Sequence, residues 1–188
     1  MSAAVSLDLV VEAGGWSALG EVEALAERAV AAALAVASDA PREPVEISVL
    51  LADDATIREL NREWRGKDKP TNVLSFPAPE QPGIPGPRPL GDLALAFETI
   101  EREARDEDKS LADHAVHLIV HGTLHLLGYD HETTGEAEIM EALEVKALAR
   151  LGIRILTATR SSLERGDRGR AQRPHDTIGA AGPACAMC

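Results

Sequence analysis

The chain has 188 residues, of which 45% are hydrophobic and 3% aromatic, and its formal net charge is −12. That length supports one domain with its own core and is short for two, and the shortage of aromatics means that Leu, Val, Ile and Ala must build the core. So acidic a total argues, taken alone, against a partner rich in phosphate, although Arg62, Arg65, Lys67 and Lys69 form a local basic cluster; no DNA partner is expected.

Asp8 interrupts the first apolar stretch, so no secretory signal is expected, and the longest apolar run, Ala29 to Ala37, falls well short of the ~20 residues of a membrane span. A cytoplasmic protein without a membrane partner is the expectation. The only cysteines, Cys185 and Cys188, stand at the extreme C-terminus, where they cannot staple a core. Their Cys-x-x-Cys spacing lacks a helix N-terminus that would activate a thiol.

Val5 to Val11 alternates as a strand does, and Ala18 to Ala37 carries Leu19, Val22, Leu25, Ala26 and Ala29 at helical spacing. Val45 to Leu51 reads as a buried strand. Asp53 or Asp54 then caps a helix whose apolar face is Ile57, Leu60 and Trp64, ended by Gly66. Thr71 to Phe76 and Leu90 to Phe97 are further strands, the second entered through Gly91, and the prolines between them exclude regular structure and leave an exposed loop.

Glu98 to Asp108 reads as a surface helix. The next helix, capped by Ser110 or Asp113, runs to Leu127 and stops at Gly128; a last one, Gly135 to Arg150, has Ile139, Leu143, Val145 and Leu148 as its apolar side. From Thr157 onward the composition turns to Arg, Gly, Ser, Pro and Ala, too poor in large apolar residues to order a chain, so residues 157–188 are expected to be a disordered tail after a domain of residues 1–156. The order β-α-β-α-β-β-α-α-α is an α+β layout: a four-stranded sheet packed by about five helices.

The chemistry concentrates in His121-Gly-Thr-Leu-His125-Leu-Leu-Gly128-Tyr-Asp-His131. Residues four apart share a helix face, so His121 and His125 can present ring nitrogens to one divalent ion at ~2.0–2.1 Å. Gly128 tolerates the left-handed conformation that reverses the chain and returns His131 as a third ligand. Three imidazoles leave one coordination position open, as catalytic sites do.

The same spacing occurs in the metzincin proteases, which carry a Glu general base where this chain has Gly122. Asp130 or Glu132 remain as a substitute base or as support for a ligand. His117, one turn before His121, is a candidate to orient substrate or to hydrogen-bond a ligand.

Taken together, His117 to His131, the run Asn61-Arg-Glu-Trp-Arg65-Gly-Lys-Asp-Lys-Pro-Thr71-Asn72-Val-Leu-Ser-Phe-Pro77 and Leu90-Gly91-Asp92-Leu resemble the YbeY family, over roughly Val5 to Leu156. The resemblance implies a single-strand-specific, metal-dependent endoribonuclease acting in 16S rRNA 3′-end maturation and ribosome quality control. It also implies a zinc-like ion on His121, His125 and His131, a functionally important Arg65, and contacts with ribosomal RNA, the small ribosomal subunit and its proteins.

A guanidinium suits Arg65 to charge growing in phosphoryl transfer, unless it simply pairs with Glu63 or Asp68. Lys67 and Lys69 suit the RNA backbone. Thr71 and Asn72 either bind phosphate or cap a strand, and Asp92 either supports the site or ends a turn. The rivals are a metallopeptidase-like hydrolase and a non-catalytic ribosome assembly factor with a structural metal.

Overall fold

The computed structural model describes residues 4–79 and 85–154; the expected tail, Cys185 and Cys188, and Pro82 and Gly83 of the proline-rich loop lie outside them. Four strands, β1 (Val5–Val11), β2 (Val45–Ala52), β3 (Val73–Pro77) and β4 (Arg88–Ala96), form one sheet in the order β1-β2-β4-β3. The first three in that order run parallel, and β3 closes one edge antiparallel to β4. The helices are α1 (Val22–Val36), α2 (Asp54–Arg65), α3 (Phe97–Asp106), α4 (Leu111–Leu126) and α5 (Thr134–Arg150), so the expected α+β class and element order stand.

Helices α2, α4 and α5 start where a side-chain oxygen accepts an otherwise unpaired backbone N–H, and β4 turns directly into α3. Of the two candidates for α2, Asp53 is the cap and accepts from Thr56 N at 2.8 Å. Asp54 instead accepts from Thr99 N at 2.9 Å, while its own N–H donates to Glu98, which ties the starts of α2 and α3 together. Ser110 caps α4, and Thr133 with Glu136 forms a reciprocal capping box on α5.

The sheet has apolar material on both faces. On one, α1, α4 and α5 bury the main core around Ile47, Val49, Leu93, Ile119 and Leu124; α1 presents Ala26, Ala29 and Ala33, whose short side chains let its backbone lie close to α4. On the other, Ile57 and Leu60 of α2 cover Leu74, Phe76, Ala94 and Ala96. Strand β3 therefore sends Val73 and Ser75 toward α4, and Leu74 and Phe76 toward α2.

Three expectations need correction. The helical reading from Ala18 merges two elements: Gly14–Leu19 is a 3-10 turn that buries Trp16, and Gly20, at φ 68°, separates it from α1. Trp64 does not complete the apolar face of α2 but is 54% exposed. On α5, Ile139 and Val145 face solvent, and Met140, Leu143, Glu144, Ala147 and Leu148 point inward. In each case helical spacing alone left the inward direction open, and the shape of the neighbouring elements set it.

Gly91 shows how tightly the β3/β4 edge is built. It has φ 134°, next to a register shift between β2 and β4, and a Cβ on it would stand 2.1 Å from the Phe76 carbonyl oxygen. Gly91→Ala is expected to destabilise the protein by at least ~2 kcal/mol through strain and overlap with backbone. Urea unfolding checks it, and a midpoint equal to wild type would contradict this account.

Candidate metal centre

Helix α4 is enclosed by α1, α3, α5 and the β3/β4 edge, and its C-terminal turn carries the site. The helix closes with Tyr129 N donating to Leu124 O at 3.1 Å and Gly128 N to His125 O at 2.9 Å, the paired bonds of a Schellman motif with Gly128 at φ 90°. The chain reverses there. His131 returns, and the imidazole nitrogens of His121, His125 and His131 that face one another all lie within 4.8 Å.

The partners on the far side of two of these rings fix which nitrogen is bare. His125 Nδ1 lies 2.9 Å from the Tyr129 carbonyl, which can only accept, so Nδ1 carries the proton and Nε2 keeps its lone pair. His121 Nδ1 lies 2.6 Å from Glu144 Oε1. Burial alone would raise the Glu144 carboxyl, but hydrogen bonds from His117 and His121 outweigh it and hold the group at about 2. As a carboxylate it too only accepts, so a neutral His121 ring carries its proton on Nδ1 and turns a bare Nε2 toward His125.

The two bare Nε2 atoms stand 3.0 Å apart with no proton of their own to share. That is close to the ~3.3 Å expected between two nitrogens bound at tetrahedral angles to one ion at ~2.0–2.1 Å. His125 is buried, and that burial is the largest cause lowering its pKa to about 4. It stays neutral at physiological pH and so is ready as a ligand.

Glu144 is the residue that sequence reasoning missed. It is 8% exposed on α5 and bridges His117 Nε2 at 2.8 Å and His121 Nδ1 at 2.6 Å. In the sequence it is one acid among several in a charged helix, and no motif marks it. His117 meets Glu144 rather than the three facing imidazole nitrogens.

Asp130 takes up the His131 N–H at 2.7 Å within the turn, and Glu132 and Asp92 are exposed, while Glu144 and the Tyr129 carbonyl hold the His121 and His125 rings. Gly122 lies against the sheet: a Cβ there would meet Leu93 at 2.8 Å and Ser75 at 3.1 Å. A metzincin-like Glu has no room at this position.

Beside the histidines opens a cleft of about 460 Å³ lined by Asn72, Glu103, Lys109, His117, His121, His131 and Glu144, among others. Asn72 is held on its wall by both ends of its amide, donating to Glu103 at 3.1 Å and accepting from Val73 N at 2.7 Å. Glu103 also meets His114 Nε2 at 3.0 Å.

Of the other expected residues, Arg65 ends α2, and Lys67 and Lys69 are exposed in the following loop; none of the three lines the cleft. Buried Asn61 shapes that loop by donating to Lys69 O at 2.7 Å. Asp68 is taken by Arg58 in a two-bond pair, and Arg65 forms no ion pair among the described residues.

If Glu144 orients His121, then Glu144→Gln, which keeps the shape but loses the charge, should weaken Zn²⁺ binding ~10- to 100-fold. Competition with a chromogenic chelator measures this. Affinity unchanged from wild type would remove Glu144 from the site.

A family model described as "Endoribonuclease YbeY" matches residues 17–152. Similar proteins carry the same name: one from Azorhizobium caulinodans is 56% identical over 149 residues, covering 79% of this chain and 94% of that protein. One from Nitrobacter winogradskyi is 53% identical over 156 residues, covering 81% and 82%, and one from Rhizobium johnstonii is 50% identical over 158, covering 80% and 92%. With a match over most of its length and relatives at half identity or better, this chain belongs to the YbeY endoribonuclease family.

Proposed function

We propose that the protein is a metal-dependent endoribonuclease that cuts single-stranded RNA and acts in maturation of the 16S rRNA 3′ end and in ribosome quality control, in the cytoplasm. The observation that carries this reading is the pair of bare Nε2 atoms of His121 and His125 facing each other at 3.0 Å, with His131 beside them and a cleft alongside. The ion is assigned as one Zn²⁺ on these three residues, because three neutral imidazoles suit a borderline-soft cation and leave a position open to substrate. When bound, such an ion supplies Lewis acidity at a phosphoryl oxygen and lowers the pKa of water.

The chain's own groups do the rest. Glu144 and the Tyr129 carbonyl hold the ligand rings in register, and His117 and Asn72 contact substrate from the cleft wall. Arg65 neutralises negative charge growing on the non-bridging phosphate oxygens as the attacking oxygen bonds to phosphorus and the scissile P–O bond breaks. Lys67 and Lys69 position the backbone.

No helix among the described residues is long and apolar enough to cross a membrane. With a net charge of −12, affinity must come from docking to the small ribosomal subunit and its proteins, with the loop after α2 supplying local cationic contact.

Purified metal-loaded protein should cut a single-stranded fragment of 16S rRNA and leave casein intact. Arg65→Ala and His121→Ala should each lower the cutting rate by ~100-fold or more. Unchanged cutting by both variants, or consumption of casein in place of RNA, would reject the assignment.

Binding to free RNA should be weak. A log–log salt slope no steeper than about −3 is the most that four cations, Arg62 and Arg65 at the end of α2 and Lys67 and Lys69 in the loop after it, allow on a single strand. A slope of −6 or beyond, read by fluorescence anisotropy across salt concentrations, would contradict it.

A further inference from the structure

The chain has two tryptophans, and they are placed in opposite ways. Trp16 is 1% exposed, with its indole N–H donated to the Ala52 carbonyl at 2.9 Å. Trp64 is 54% exposed on the last turn of α2 and meets Phe76 of the β3 edge strand edge-on, at 5.7 Å between ring centres. Removing a ring of that size from water is favourable, so an aromatic-poor protein that leaves one this exposed forgoes stability there.

The surroundings of Trp64 indicate the occupant. Arg62, Arg65, Lys67 and Lys69 flank it in sequence, and none of them forms an ion pair among the described residues. The neighbouring acids are Glu59, Glu63 and Asp68, and Arg58 neutralises Asp68. A flat aromatic face among unpaired cations, in a chain of net charge −12, is complementary to one chemistry: planar bases on a phosphate backbone.

Phe76, which supports the Trp64 ring, belongs to the same strand that Asn72 introduces from the cleft wall. The two are four residues apart, or ~13 Å of extended chain, which a stacked strand covers in about four nucleotides.

We propose that Trp64 is a base-stacking platform for an unpaired stretch of the RNA substrate, which follows β3 from the cleft toward the exposed end of α2. This rests on the ribonuclease reading above and extends its substrate site beyond the metal centre. It also supplies a physical source for single-strand preference, because a base paired in a helix cannot present its face to a protein ring.

The test uses the metal-loaded protein and a single-stranded adenine-rich RNA octamer, read by tryptophan emission within the first second of mixing. Wild type should be quenched on binding, and W64F, which keeps only buried Trp16, should not be. By anisotropy, W64F should bind within a few-fold of wild type, while W64L, which still covers Phe76 but cannot stack, should bind ~5- to 100-fold more weakly at an unchanged melting temperature.

Quenching that persists in W64F, emission unmoved when wild type binds, or W64L binding as tightly as wild type would each overturn the platform. If wild type cuts the RNA while W64L binds it equally well, stacking alone is refuted. If wild type neither binds nor cuts, the ribonuclease reading falls and takes this inference with it.

Discussion

Two imidazoles are held with their lone pairs face to face because each is fixed from behind by a group that can only accept a proton. Glu144 does this for His121, and the Tyr129 carbonyl does it for His125. Without those partners either ring could change tautomer, and one Nε2 could then donate to the other across the same 3.0 Å, spending on a hydrogen bond the lone pair that an ion needs. Much of the surrounding architecture can be understood as keeping these two partners in place.

The Tyr129 carbonyl is aimed by the Schellman turn, and its side chain is tied to the far end of α1, where the hydroxyl meets the Ser38 backbone N–H at 3.2 Å and the Ser38 Oγ at 3.0 Å. Glu144 is aimed by α5, which is fixed at its start by the Thr133–Glu136 capping box and along its inner face by Met140, Leu143 and Leu148. The seat of α4 on the sheet depends on Gly122, where the absence of a side chain lets the helix settle onto Leu93 and Ser75. The residue that removes the protease-type base is thus also what brings the helix close to β3.

Charge is distributed on the same plan. The cleft holds Glu103, Glu107, Glu141 and Glu144 together with three of the helix histidines, whereas the free cations of the α2–β3 loop lie outside it. A polyanion is therefore not drawn into the cleft by bulk attraction. On the function proposed above, an ion at the histidines and the cations outside the cleft would have to bring it there.

The sequence by itself determined the elements, their order, the α+β class and the three histidines, because each rests on a local rule: hydrophobic period, capping residue, or i to i+4 spacing followed by a glycine stop. It also carried the family resemblance, since the two long motifs are contiguous. Glu144 was beyond its reach, as were the outward turn of Ile139, Val145 and Trp64 and the separation of the 3-10 turn from α1. These depend on which side of a helix meets a neighbour remote in the chain. Only the tertiary structure decides that, because burial and hydrogen-bond partnership belong to pairs of residues brought together across the fold.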